Sequence, residues 1–142
     1  MAQLERQISS FRRHIFDLLA ELKANSKDGK AQSDIERIAN LTRIAMRDAP
    51  TVIISEVEDV LKPHIKTLSE GLTNPIIIDN FIKTDFAARK SADGSPPPEL
   101  AVSMITHTRN YLTRLNVDDR AEKVDTILSL YVICREVSQL TS

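Results

Sequence analysis

The chain has 142 residues, of which 42% are hydrophobic and 27% are charged, and these fractions are typical of a globular domain. The net charge of −1 argues against nonspecific nucleic-acid binding, which needs a basic surface. The single cysteine excludes an intrachain disulfide, and no apolar run approaches the roughly 20 residues that cross a bilayer. We therefore expect one domain over residues 1–142, intracellular (cytoplasmic or nuclear) and not bound to a membrane.

The first helix is predicted over residues 4–23. Its main apolar seam, close to a heptad repeat, consists of Leu4, Ile8, Phe11, Ile15, Leu18 and Leu22. Phe16 and Leu19 lie beside this seam. Either both stripes are buried by other helices of the chain, or Phe16 and Leu19 mark an interface, and we predict a monomer or weak homodimer. The basic run 12–14 indicates a solvated face, with a small anionic contact as the alternative.

Residues 33–65 form the segment on which the rest of the chain is expected to pack. Ser33, followed three residues later by a glutamate, matches a capping box and predicts a helix start. The preceding residues, 24–32, are predicted to be a loop with a turn at Asp28-Gly29. Pro50 is predicted to end this helix and begin the next, because proline suits only the first turn of a helix. The two helices should form a hairpin with large apolar faces.

The second half of the chain continues the helical pattern. Asn74 and Pro75 predict an N-cap and first helical residue, with apolar residues continuing to Phe86. Residues 91–98 contain three consecutive prolines and predict an exposed, extended loop. A further helix is predicted over residues 99–115.

The last helix is predicted to begin with Asp118 as its N-cap and to end at Val137 or Leu140. Helical stripes recur throughout, and proline or capping signals lie at most of the joints between them. The sequence therefore predicts an all-α fold, a single-domain helical bundle or short helical superhelix of about six to eight helices.

Residues capable of chemistry are few and scattered. The three histidines, His14, His64 and His107, lack the spacing of a metal site, and Cys134 lies on an apolar helix face as a small core residue. We therefore predict no catalytic residue, no metal site and no cofactor. The favoured function is a non-enzymatic protein–protein interaction module, an adaptor or a subunit of a larger assembly. A helical enzyme or ligand-binding domain, with a site assembled from distant residues, is an open alternative.

Four segments resemble the domains that bind the C-terminal tail of RNA polymerase II. Residues 38–45 and 52–61 are similar to their second and third helices, 78–83 to a motif of the next helix, and 117–120 to the start of a later one. The family's aromatic residue before the motif aspartate is replaced by isoleucine, and the tryptophan of the later helix is absent. The resemblance implies a right-handed helical superhelix in which Asp79 accepts hydrogen bonds from the turn of a bound peptide.

A reader of phosphorylated peptides also needs cations for the phosphate, because charge-assisted bonds to such groups are strong. Lys83, Arg109 and Arg114 are the candidates, and together with Asp79 they form the predicted peptide-binding set. The expected partner is thus another protein or a peptide, phosphorylated or not.

Overall fold

All regular structure described in this chain is helical. The computed structural model describes residues 2–83 and 98–142, and these two ranges contain seven α-helices and no strand. In chain order the elements are α1 (Ala2–Ala24), α2 (Gly29–Asp48), α3 (Pro50–Leu61), a 3-10 turn (Lys62–His64), α4 (Ile65–Gly71), α5 (Pro75–Ile82), α6 (Glu99–Leu112) and α7 (Val117–Thr141). The predicted all-α bundle is confirmed.

Helix α1 is held between other helices rather than against one. It packs on α7, α2 and α6, so more than one of its faces is covered. Its buried side chains are Phe11, Ile15, Leu18, Leu19 and Leu22. The main seam is therefore buried from Phe11 to Leu22 and Leu19 is buried beside it, whereas Phe16 of the second stripe is only half-buried.

Helix α2 begins five residues before the predicted start. Its N-cap is Asp28, whose Oδ1 accepts a hydrogen bond from the Lys30 amide at 3.0 Å. The prediction of Ser33 as the cap is therefore wrong, as is the prediction that the loop extends to residue 32. Aspartate is as good a cap as serine, and the Gln32 side chain donates to the Ser26 carbonyl at 2.6 Å, which closes the joint behind it.

Helix α3 lies at the centre of the bundle. It follows α2 after the single residue Ala49, with Pro50 in its first turn as predicted. It packs on α2, α6 and α7. Its buried side chains are Ile53, Ile54, Val57 and Leu61. The helix ends at Leu61 instead of continuing to Ile65, because Pro63 has no N–H to donate and a 3-10 turn takes its place.

Helices α4 and α5 pack closely on one another. A Cβ atom at Gly71 would come within 2.0 Å of Ile78 Cδ1, so the missing side chain of this glycine permits the contact. Asn74 caps α5 as predicted, its side chain accepting from the Ile76 amide at 3.3 Å. The predicted extension to Phe86 lies outside the described residues, as does the predicted loop 91–98 except for Pro98.

The last two helices complete the bundle. Helix α6 ends at Leu112, three residues earlier than predicted. Asn116 caps α7, accepting from the Asp119 amide at 2.9 Å, so the prediction of Asp118 as the cap is wrong by two residues. Helix α7 continues to Thr141 and packs on α1, α3 and α4.

Candidate functional site

Helices α1 and α2 run antiparallel along a groove. Two side-chain contacts across it establish the register. Lys23 Nζ lies 3.5 Å from Glu36 Oε2, and Arg43 Cζ lies 5.6 Å from the centre of the ring of Phe16. From the first contact to the second, the position on α1 moves back by seven residues and the position on α2 moves forward by seven. The two helices are therefore antiparallel.

This α1–α2 groove encloses a cavity of about 330 Å³. The residues that line it are Phe16, Leu19, Ala20, Lys23, Ile35, Glu36, Ala39, Asn40 and Arg43. Packed helices lie about 8–10 Å apart, and alanine side chains at Ala20 and Ala39 are too short to fill that spacing. The space can therefore accept one or two apolar side chains from another molecule.

One end of the groove carries an aromatic ring covered by a cation. Phe16 is half-buried, and the exposed Arg43 lies over it at cation–π distance. The Arg43 guanidinium also donates from Nη1 to Asn40 Oδ1 at 2.7 Å. Both partners are neutral, and Arg43 forms no ion pair with a described carboxylate.

The two ends of the groove differ in charge. At one end the exposed side chains of Lys23 and Glu36 neutralise each other. Beyond the other end, the same register places Arg12 of α1 level with Arg47 of α2, which pairs with the neighbouring Asp48 at 2.9 Å. Arg12 forms no ion pair with the described residues, so this end is the more positive.

The predicted interface pair, Phe16 and Leu19, lies at this groove but is not an exposed strip. Leu19 is only 2% exposed and belongs to the core, so for this residue the structure shows the first of the two alternatives, burial by other helices of the chain. Phe16 remains half-exposed. Its role as an interface residue stays a prediction.

A second concavity brings together residues that the sequence did not connect. It measures about 490 Å³ and is lined by Asp28, Lys30, Ala31, Ser33, Asp34, Arg37 and His107. His107 Nε2 lies 2.6 Å from Asp34 Oδ2, and Arg37 donates to Asp34 Oδ1 at 2.9 Å. Seventy-three residues separate Asp34 from His107, and no local motif marks either of them.

This cluster joins α2 to α6 electrostatically. The hydrogen bond from His107, opposed in part by burial and assisted by Arg37, lowers the pKa of Asp34 below its usual 3.8. Asp34 therefore orients the imidazole ring of His107, but no described hydroxyl or thiol hydrogen-bonds to that ring.

The predicted peptide-binding residues are distributed over α5, α6 and the joint after α6. Asp79 Oδ1 accepts from Arg120 Nη1 of α7 at 3.4 Å. Arg109 donates to Asn110 at 3.2 Å, and the exposed Arg114 lies with its Cζ 5.9 Å from the centre of the Tyr111 ring. Lys83 is exposed at the end of α5. Their joint role stays a prediction.

Cys134 is the small core residue that the sequence predicts. It is fully buried on α7, and burial, with the nearby Glu58 carboxylate as a second cause, raises the pKa of its thiol to about 12. The thiol is therefore protonated at neutral pH. Within residues 2–83 and 98–142, no three metal-ligating side chains come together.

Comparisons with known proteins leave the site to be interpreted from its own geometry. No family model, no curated protein and no solved structure matches the chain. No described helix has the length and hydropathy that crossing a membrane requires. The resemblance to polymerase-tail-binding domains stays a hypothesis.

Proposed function

We propose that this chain is a non-enzymatic protein–protein interaction module, an adaptor or a subunit of a larger assembly, which binds a segment of its partner in the α1–α2 groove. The observation that supports this is the half-exposed ring of Phe16 at the end of an open groove with Leu19, Ile35 and Ala39 in its lining. An aromatic ring beside an apolar floor is the arrangement from which interface hot spots are built.

The size of the groove favours a short segment over a broad, flat surface. Helical faces commonly bind partners by accepting a few apolar side chains spaced along one segment. The charged residues Lys23, Glu36 and Arg43 stand around an apolar floor, and a polar rim of this kind surrounds the core of most interfaces.

The first test compares two substitutions that place the same new charge on different helices. Phe16→Glu adds a carboxylate at the groove, whereas Val132→Glu adds one at a position of α7 that is 57% exposed. Both variants should keep the helical circular dichroism spectrum of the parent chain. Val132→Glu should also keep its melting temperature, whereas Phe16→Glu should lower it by a few degrees, because the half-buried Phe16 ring packs against the core. We expect Phe16→Glu to lose the proteins that co-purify with the parent, and Val132→Glu to retain them.

The partner identified in this way is then purified, and its affinity is measured directly by calorimetry. If both variants bind as the parent does, or if only Val132→Glu fails, the groove is not the binding site. Sedimentation at several concentrations separates the remaining case, in which the segment bound in the groove comes from a second copy of this chain.

A further inference from the structure

We propose that the segment bound in the α1–α2 groove is acidic, with apolar side chains against the accessible Ala20 and Ala39 and at least one carboxylate over Arg43. This rests on the proposed function and adds the chemistry of the partner. The whole chain has a net charge of −1, so a positive surface on it is a local property with its own cause.

The cations near the groove outnumber the acids. Among the residues that line it, Lys23 and Arg43 are cations and Glu36 is an acid. Lys23 and Glu36 neutralise each other, which leaves Arg43, and the register adds Arg12 beyond the Phe16 end. What remains available to a ligand is mainly guanidinium, concentrated at the Phe16 end.

Arg43 is placed to recognise a carboxylate. In this structure its partners are the face of the Phe16 ring and the amide oxygen of Asn40, both of them neutral. A guanidinium binds a carboxylate through paired, charge-assisted hydrogen bonds that are roughly twice as strong as neutral ones. A bound acid can therefore replace Asn40 as the acceptor while Arg43 still covers the ring.

The groove also orients the ligand. Its Lys23–Glu36 end offers no net charge, and its floor is apolar over Leu19, Ile35 and Ala39. A segment with its acidic end toward Arg43 and its aliphatic residues toward Ile35 is complementary to both features. The reverse orientation places carboxylates against Glu36.

Three synthetic peptides test the charge requirement with the full chain. They share one fluorescein label, one length and leucines at i and i+4, and they differ only in carrying glutamate, glutamine or lysine at the remaining positions. By fluorescence anisotropy we expect saturable binding of the glutamate peptide, with affinity about tenfold weaker for the glutamine peptide and none measurable for the lysine peptide. Raising the salt from about 0.05 to 0.5 M should weaken the glutamate complex.

Matched variants test whether Arg43 is the residue that binds the glutamate peptide. Arg43→Gln should weaken the glutamate peptide about tenfold, whereas Arg135→Gln, an identical change at an exposed position of α7, should leave it unchanged. Arg43→Glu should reverse the preference toward the lysine peptide. Both Arg43 variants alter an exposed side chain, and a melting temperature close to that of the parent establishes that they fold.

Each contrary result separates this inference from the proposed function. Equal binding of the glutamate and glutamine peptides, or equal loss with Arg135→Gln, overturns the acidic partner and leaves the groove intact. Failure of all three peptides also overturns the acidic segment, while the Phe16→Glu co-purification experiment decides the proposed function independently.

Discussion

Two helix pairs in this bundle pack in opposite ways. Helices α3 and α7 pack on each other and both contribute fully buried side chains, Ile54, Val57 and Leu61 from α3 and Cys134 from α7, and we call this contact closed. Between α1 and α2, Ala20 and Ala39 face the contact, and a cavity of about 330 Å³ stays open. The size of the facing side chains, rather than the number of helices, decides which contact becomes core and which becomes a surface groove.

The polar groups at the two contacts differ as well. At the α3–α7 contact the Ser138 hydroxyl donates to Glu58, and the nearby Glu58 is one of the groups that raise the pKa of Tyr131, after burial as the main cause. At the α1–α2 contact the charged groups stand at the rim in solvent. The polar groups of the closed pair therefore bond to each other across a partly buried contact, whereas those of the open pair stand in solvent.

The largest expected effect tests which face of α2 lies inside. Ile38→Asp places an unpaired charge where the side chain is 0% exposed and should cost more than about 4 kcal/mol, enough to unfold most of the chain. The control is Ile44→Asp on the same helix, where the side chain is 48% exposed and the change should be small. Thermal melting by circular dichroism compares them, and equal melting temperatures would show that the core face is assigned wrongly.

The next effect tests the comparison itself by adding volume to each contact. Cys134→Leu overfills the closed α3–α7 side and should cost about 1–3 kcal/mol. Ala39→Leu fills the open groove instead and should change stability by less than about 1 kcal/mol while abolishing peptide binding. Urea unfolding provides both values. A larger loss at Ala39 than at Cys134 would contradict the distinction between the two contacts.

A smaller effect concerns the attachment of α1 to the closed side of the bundle. Glu21 accepts hydrogen bonds from Tyr111 at 2.9 Å and from Lys123 at 2.6 Å, and so joins α1 to α6 and α7. Glu21→Ala leaves both donors without this acceptor and should cost about 1 kcal/mol, since Glu21 is partly exposed. Urea unfolding measures the loss. The control is Glu5→Ala, at an exposed position of the same helix. An equal loss of stability in both variants would show that the contacts of Glu21 with Tyr111 and Lys123, which we call the Glu21 cluster, do not stabilise the fold.

The Glu21 cluster also predicts how the ionisation of Tyr111 and the stability of the chain change at high pH. Burial, followed by the Glu21 hydrogen bond, raises the pKa of Tyr111 from 10.0 to about 12. Because the folded pKa is the higher one, this stabilisation is complete below pH 10 and is lost as the pH rises through about 12. Tyrosinate absorbance followed against pH should show delayed ionisation in the parent chain and earlier ionisation in Glu21→Ala. Identical tyrosine titrations of the parent and of Glu21→Ala would show that Glu21 does not raise the pKa of Tyr111.

The smallest effect tests the bridge between the open pair and α6. The hydrogen bond from His107 lowers the folded pKa of Asp34, so its stabilisation is present above pH 3.8 and is lost as the pH falls through the lowered value. Asp34 is partly exposed, so Asp34→Asn should cost less than about 1 kcal/mol at neutral pH. This difference in stability between Asp34→Asn and the parent should disappear once the pH falls below the lowered pKa of Asp34. A difference from the parent that persists at pH about 2 would rule out this bridge as its cause.

Local signals in the sequence account for most of the helices. Pro50 and Asn74 define joints through their own backbone chemistry, and the structure places helix ends at both. The start of α2 illustrates the limit, because Asp28 and Ser33 are both competent caps. The choice between them depends on how the joint before α2 closes, which a local pattern does not contain.

The candidate sites depend on register between helices, and register was not predictable here. The contacts of Arg43 with Phe16 and of His107 with Asp34 need two helices to slide to one relative position. That position is decided by packing over the whole bundle. The sequence did single out Phe16, through its place beside the main apolar seam of α1, but it gave no reason to pair it with Arg43.

The half-exposed ring of Phe16 has an optical consequence. The chain contains no tryptophan, so Phe16→Trp would create a single indole, lying at the groove and beneath Arg43. Tryptophan is the aromatic side chain that holds a cation best, so the contact with Arg43 should persist. All indole emission from the protein would then come from the groove, and occupation of the groove could be followed in real time without a label on the ligand.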